Sequence, residues 1–229
     1  MSAPRVPIVA LALAFATTQA LAQGFSFSTP DDEERAAREA KESRIAAQLS
    51  TPCRAELKNK KIMVVIGERQ SNGYVSAEQR NYGPHYEAIN GRLRALGLRT
   101  YTPEEIRRQI AQAEIDAMMR NDPDAALSAS KRLGASFVLR GLISAQASQN
   151  LVIAVNQVSV DMAFTLTGSD GRPISTADAR SASYAGADVA RMALTLVNEQ
   201  ADEVVARLYS DYCTRAGLDA GAKRAPKKP

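Results

Sequence analysis

Five consecutive apolar residues, Ile62-Met63-Val64-Val65-Ile66, stand between a lysine pair and Gly67. A short unbroken apolar run is the pattern of a strand buried on both faces, so a central strand is predicted here. From Glu68 to Pro84 the periodicity vanishes and Gly, Asn, Ser and Gln accumulate. A loop of about 16 residues follows, longer than ordinary connections and therefore either functional or simply mobile. Tyr86, Ile89, Leu93 and Leu96 then recur at helical spacing before Gly97, which predicts a helix over residues 85–96 and a glycine terminator. After a brief strand, Leu98 to Tyr101, the segment Thr102-Pro103-Glu104-Glu105 supplies a capping hydroxyl, a proline for the first helical position and a glutamate three residues after the cap. The helix it starts carries Ile106, Ile110, Ala113 and Met118 and ends near Asn121. Asp122-Pro123 starts a second helix, closed by Gly134 after Leu133.

The period then changes to two. Phe137, Leu139, Gly141 and Ile143 alternate with their neighbours, and beyond Asn150 a second run alternates Val158, Val160, Met162, Phe164 and Leu166 with Gln157, Ser159, Asp161, Ala163 and Thr165. Each such strand buries one face and wets the other. Gly168-Ser169-Asp170-Gly171 supplies a tight turn, and Arg172 to Tyr184 returns as a less apolar hairpin partner with the character of an edge strand. Asp188 caps a long helix whose stripe of Val189, Met192, Leu196, Val204 and Leu208 runs up to Cys213. The predicted fold is α/β: a single mixed sheet with helices packed against it, in the order β-α-β-α-α-β-β-β-α.

The ends of the chain differ from this core. Residues 1–22 combine Arg5, an apolar run from Pro7 to Ala16 and the small-residue site Ala20-Leu21-Ala22, the order of a cleavable export signal. Thr17, Thr18 and Gln19 stop the apolar run short of the roughly 20 residues a membrane span needs. Residues 23–52 are rich in charge and alanine and read as a polar spacer, disordered or a solvated helix. The α/β domain is assigned to residues 53–216 and a disordered basic tail to residues 217–229.

With 29 basic and 25 acidic residues, the chain has a formal net charge of +4. Five of those basic residues, Arg5, Lys223, Arg224, Lys227 and Lys228, lie at the two ends, which leaves 24 basic residues for the remainder, against all 25 acidic ones. The domain itself is close to neutral, and no nucleic-acid partner is expected. Cys53 and Cys213 are the two cysteines, one just before the first strand and one at the end of the last helix. A disulfide between them would join the ends of the domain in an oxidising compartment, and the absence of a CxxC spacing favours a structural bond over a redox one.

Catalytic, cofactor and metal motifs are not found. His85 is the single histidine, at a helix start where a polar residue needs no special reason, and neither HExxH nor a nucleophile elbow accompanies it. GERQSNGY after the first strand is neither GxGxxG nor a Walker sequence. Asp161 and Asp178, on adjacent strands, read as solvent-facing charges.

The KKIMVVIGER strand, the TPEE-initiated helix, GASFVLRGLIS, the QVSVDMAFTLTGSDGRPIS hairpin and the helix from Asp188 together resemble the periplasmic α/β domain shared by the penicillin-binding-protein activator lipoproteins, the curli secretion channel subunit and the TolB amino-terminal domain. The resemblance implies a non-enzymatic role in assembling, gating or activating envelope machinery, with an envelope protein as partner and self-association as an option. A cysteine at the cleavage site, present in the lipoprotein members, is missing here. The expected location is the periplasm, or alternatively the extracellular medium. Arg69, Tyr74, Arg80 and Tyr82, on the loop over residues 68–84, are the candidate interaction residues, because exposed aromatic and arginine side chains anchor interfaces. Two other readings stay open: an exported hydrolase using carboxylates near His85, and a periplasmic small-ligand-binding protein with a pocket beside that loop.

Overall fold

The structure, a computed structural model, describes residues 30–69, 75–77, 83–150, 152, 155–185 and 188–222. Its centre is β1 (Lys61–Arg69). The apolar run sends Ile62, Val64 and Ile66 into one cluster of buried residues and Met63 and Val65 into another. One strand thus belongs to two cores, as its lack of alternation requires.

Around it lie the short strands β2 (Val75–Ser76) and β3 (Arg99–Thr100) and the long strands β4 (Phe137–Asn150), β5 (Val155–Gly168) and β6 (Pro173–Ala185). The sheet order is β2-β1-β4-β5-β6, with β3 also on β1. β1 runs parallel to β4 and β3, while β2 with β1, β4 with β5 and β5 with β6 are antiparallel. This is the single mixed sheet of the α/β class. β6 takes the edge position that its mixed composition indicates, and Gly171, at φ 80°, serves the turn that leads into it.

Two helices fill the first face: α3 (Pro84–Ala95) and α7 (Val189–Ala222). Their Ile89, Leu93, Leu196, Val204 and Leu208 meet Leu139, Val160, Met162 and Phe164 of the sheet. Asp188 accepts a hydrogen bond from the Arg191 N–H at 2.9 Å and so caps α7. Arg92 clamps the two helices together. Its guanidinium donates to both carboxylate oxygens of Asp202, at 2.6 and 3.0 Å, and to the carbonyls of Ala88 and Asn198.

On the second face, α4 (Pro103–Gln109), α5 (Gln112–Met119) and α6 (Pro123–Leu133) cover Met63, Val65 and Val138. Thr102 and Glu105 form the reciprocal capping box at the start of α4. The pattern predicts one helix from Pro103 to near Asn121, and here the structure differs. Ile110 and Ala111 are extended, with φ −119° and −71°. Ile115 lies nine residues after Ile106, about two and a half helical turns, so an unbroken helix would point the two side chains in opposite directions. The break resets the phase, and Ile106, Ile110, Ile115 and Met118 all enter one cluster. α6 follows, with Asp122 capping its first N–H groups and Gly134 in the left-handed region at its end.

Before β1, residues Pro30–Leu49 form the helix α1 and Arg54–Leu57 the short helix α2. Lys41 Nζ donates to the Glu199 carbonyl and the Gln200 side chain at 2.9 Å, and Leu49 packs on the first core. From Lys41 to Leu49 this helix, part of the segment read as a spacer, is seated on α7, held by polar contacts where apolar ones are few. Cys53 and Cys213 are joined by a disulfide, their Cα atoms 5.6 Å apart. Tyr209 Oη reinforces that junction by donating to the Thr51 carbonyl at 2.5 Å. α7 continues past Ala216 to Ala222. No helix among the described residues is long and apolar enough to cross a membrane. The N-terminal signal pattern lies outside the described residues.

Candidate functional site

The helices of the second face stop short of the outer half of the sheet. α5 reaches as far as Gly67, over which the Met119 side chain rests. Beyond it, no helix among the described residues covers the second face of β4, β5 and β6, where Ala163, Asp178 and Arg180 are exposed and Ser144 is buried. Strand register arranges this face in two rows: Arg69, Ser144, Asp161 and Arg180 in one, and Gly67, Leu142, Ala163 and Asp178 in the next. The rows line a wide shallow basin of about 700 Å³. Arg180 is bound to Asp161 directly across β5 and β6. Asp178 stands opposite Ala163, so the two aspartates on adjacent strands are diagonal neighbours and the direct partner of Asp161 is a cation.

Of the loop residues singled out from the sequence, Arg69 ends β1 on the rim of this basin. Tyr74, Arg80 and Tyr82 lie outside the described residues. Val75 and Ser76, inside that loop, form the strand β2 against Arg69 and Glu68, and Ala77 is buried in the second core.

His85, in the first turn of α3, meets a partner that no sequence spacing revealed. Its Nδ1 lies 3.0 Å from Glu68 Oε1, at the far end of β1. The hydrogen bond from His85 holds the Glu68 carboxyl below the usual glutamate range, against the opposing effect of partial burial. On the other side of His85, Ala145, Ala147, Val158, Val189, Ala193 and Leu194 line an apolar groove of about 750 Å³. Glu68 is the one carboxylate hydrogen-bonded to His85 among the described residues. No group of three or more His, Cys, Asp or Glu side chains among those residues could hold a metal ion.

Arg140 sits at the boundary between the covered and bare halves of the second face. It lines the crevice under α6 with Val65, Val138 and Thr165, where burial lowers its pKa. It is placed there by the period of β4, which turns Arg140, Leu142 and Ser144 to the same side.

In fold, the chain is similar to a set of solved bacterial α/β domains. One is lipoprotein GNA1162 from Neisseria meningitidis, 12% identical, with 62% of this chain and 99% of that chain covered and a TM-score of 0.36. A second is the PelC dodecamer from Paraburkholderia phytofirmans, 18% identical over 66% of this chain and 88% of that one, also at 0.36. The third is the LpoB C-terminal domain from Salmonella enterica, 14% identical over 57% of this chain and 93% of that one, at 0.34. No protein-family model and no curated protein sequence matches the chain.

Proposed function

We propose that this protein is an exported, non-enzymatic interaction or scaffold protein that contributes to the assembly or regulation of cell-envelope machinery. The observation that carries the reading is the bare half of the second sheet face. Antiparallel sheets leave one face to solvent when nothing must cover it, but here the two rows set Arg69, Asp161, Arg180 and Asp178 around the exposed Ala163 and the half-buried Leu142, beside the end of β1. A polar rim around a less polar centre is the anatomy of a protein interface. Export is supported by the N-terminal signal pattern and by the Cys53–Cys213 disulfide, a bond that persists in oxidising compartments. The envelope setting is supported by the resemblance in element order described from the sequence.

The test is site-specific photocrosslinking in the native envelope, with the reactive group at the exposed Ala163 and, for comparison, at Glu34 on α1. Protein adducts from position 163, identified by mass spectrometry and missing at position 34, are the expected result. Capture of small molecules alone from position 163 would replace the scaffold reading with that of a ligand-binding protein.

A further inference from the structure

Among the described residues β6 is paired on one side only, since it ends the sheet beyond β5. It is 13 residues long, Pro173–Ala185. A free edge of that length offers a row of backbone donors and acceptors to another strand. Proline and bulges are common protections against such pairing. In β6 both are confined to the start of the strand, at Pro173 and at the register shift beside Leu166 and Thr167.

The side chains of this edge are complementary to themselves. The midpoint of Pro173–Ala185 is Ala179, flanked by Asp178 and Arg180. When β6 is laid antiparallel against a second copy of β6 about a twofold axis at Ala179, the strands overlap along their whole length, with only the ends held out of the ladder, because Pro173 has no N–H and its carbonyl accepts from Arg215. Asp178 then faces the partner's Arg180, and Arg180 faces the partner's Asp178. Moving the axis by one residue sets Asp178 against the partner's Asp178, or Arg180 against the partner's Arg180, and like charges directly opposite destabilise a sheet. Charge therefore selects the one register that also uses the full strand. The side chains of Ser175, Ala177, Ala179, Ser181 and Ser183, which point to the first face, are small and leave the backbones free to approach.

The Asp178 carboxylate has no hydrogen-bonding or ionic partner among the described residues, whereas the Arg180 guanidinium is held in place by Asp161. Across the axis the guanidinium would lie between its own Asp161 and the partner's Asp178. We propose that the protein self-associates through β6 as an isologous dimer with its twofold axis at Ala179, which joins two sheets into one. The dimer pairs the edge of the sheet and shares Asp178 and Arg180 with the face read as the envelope-partner surface; it is measured on the purified chain and the partner by crosslinking in the envelope, so either reading can fail alone.

Sedimentation of the full, disulfide-bonded chain over a concentration series, with circular dichroism of each variant as a control for folding, tests the proposal. The wild-type chain is expected to dimerise. D178R makes the centre of the strand all basic and R180D makes it all acidic, so each alone is expected to dimerise about tenfold more weakly as attractive pairs become repulsive ones. An equimolar mixture of the two folded variants restores both opposite-charge pairs and is expected to dimerise as one-to-one heterodimers. A wild-type chain that stays monomeric into the millimolar range overturns the proposal. So does a dimer indifferent to both substitutions, or a mixture no more associated than its components.

Discussion

At Gly141 the missing side chain is a packing requirement. The residue lies directly opposite Phe164 in the β4–β5 pair, and an added methyl group would overlap the Phe164 ring. Gly141→Ala is expected to lower stability by about 1–3 kcal/mol through overpacking, seen as a lower denaturant midpoint at unchanged slope. The alternation of β4 puts Gly141 on the core face in the sequence itself, but only the cross-strand partner explains why the residue is glycine. Glu68 and His85 illustrate the reverse case. They are separated by an aperiodic segment, so their 3.0 Å contact is invisible until the fold closes. Because the Glu68 pKa is lowered in the folded state, its contribution to stability is present above the unfolded value of about 4.3 and is lost as pH falls through the folded value. Thermal melts of wild type and Glu68→Gln should therefore differ at neutral pH and converge in acid. A gap that widens in acid would assign the effect to another group.

Among the elements, the divided helix of the second face depends on Ile115, which reaches the core only because residues 110–111 are extended. Its side chain is almost wholly buried, at 1% exposure. Ile115→Ala is expected to cost about 2–4 kcal/mol, the range for deleting a large aliphatic side chain from a core, and chemical denaturation measures it. The α3–α7 contact rests partly on the Arg92 clamp, with Asp202 more than half exposed at 55%. Solvent weakens such a pair, so Arg92→Ala should cost only about 1 kcal/mol. α1 shows why low apolar content is a poor guide to docking. Lys41 and Arg44 reach Glu203, and Lys41 also reaches Gln200 and the Glu199 carbonyl, contacts that a hydrophobic pattern does not encode.

For the molecule as a whole, the Cys53–Cys213 disulfide closes a loop of 160 residues between the entry to the sheet and the last helix. In the chain-entropy description, a loop of that length corresponds to at most about 5 kcal/mol. Cys213→Ser should unfold at markedly lower denaturant concentration than the oxidised wild type, and the wild-type protein should shift in mobility between non-reducing and reducing gels. Two free thiols in the chain isolated under oxidising conditions would overturn the clasp. The bare sheet face and the free β6 edge are also properties of the whole molecule. Neither belongs to a single element, because each is defined by where α4, α5 and α6 end and by which strand is last.

What the sequence determined by itself was the kind of the main elements and the side they bury. A five-residue apolar run closed by a lysine pair and Gly67 reads as a doubly buried strand, a period of two separates core from solvent along β4 and β5, and capping residues at Thr102, Asp122 and Asp188 start helices through local hydrogen bonds. These are short-range effects, carried by neighbours in the chain. The tertiary structure alone decided which strands are adjacent, that Asp161 meets Arg180 instead of Asp178, that His85 meets Glu68, and that three helices cover only half of one face. Those outcomes depend on register and on the summed geometry of distant segments, and no local pattern of polar and apolar residues contains that information.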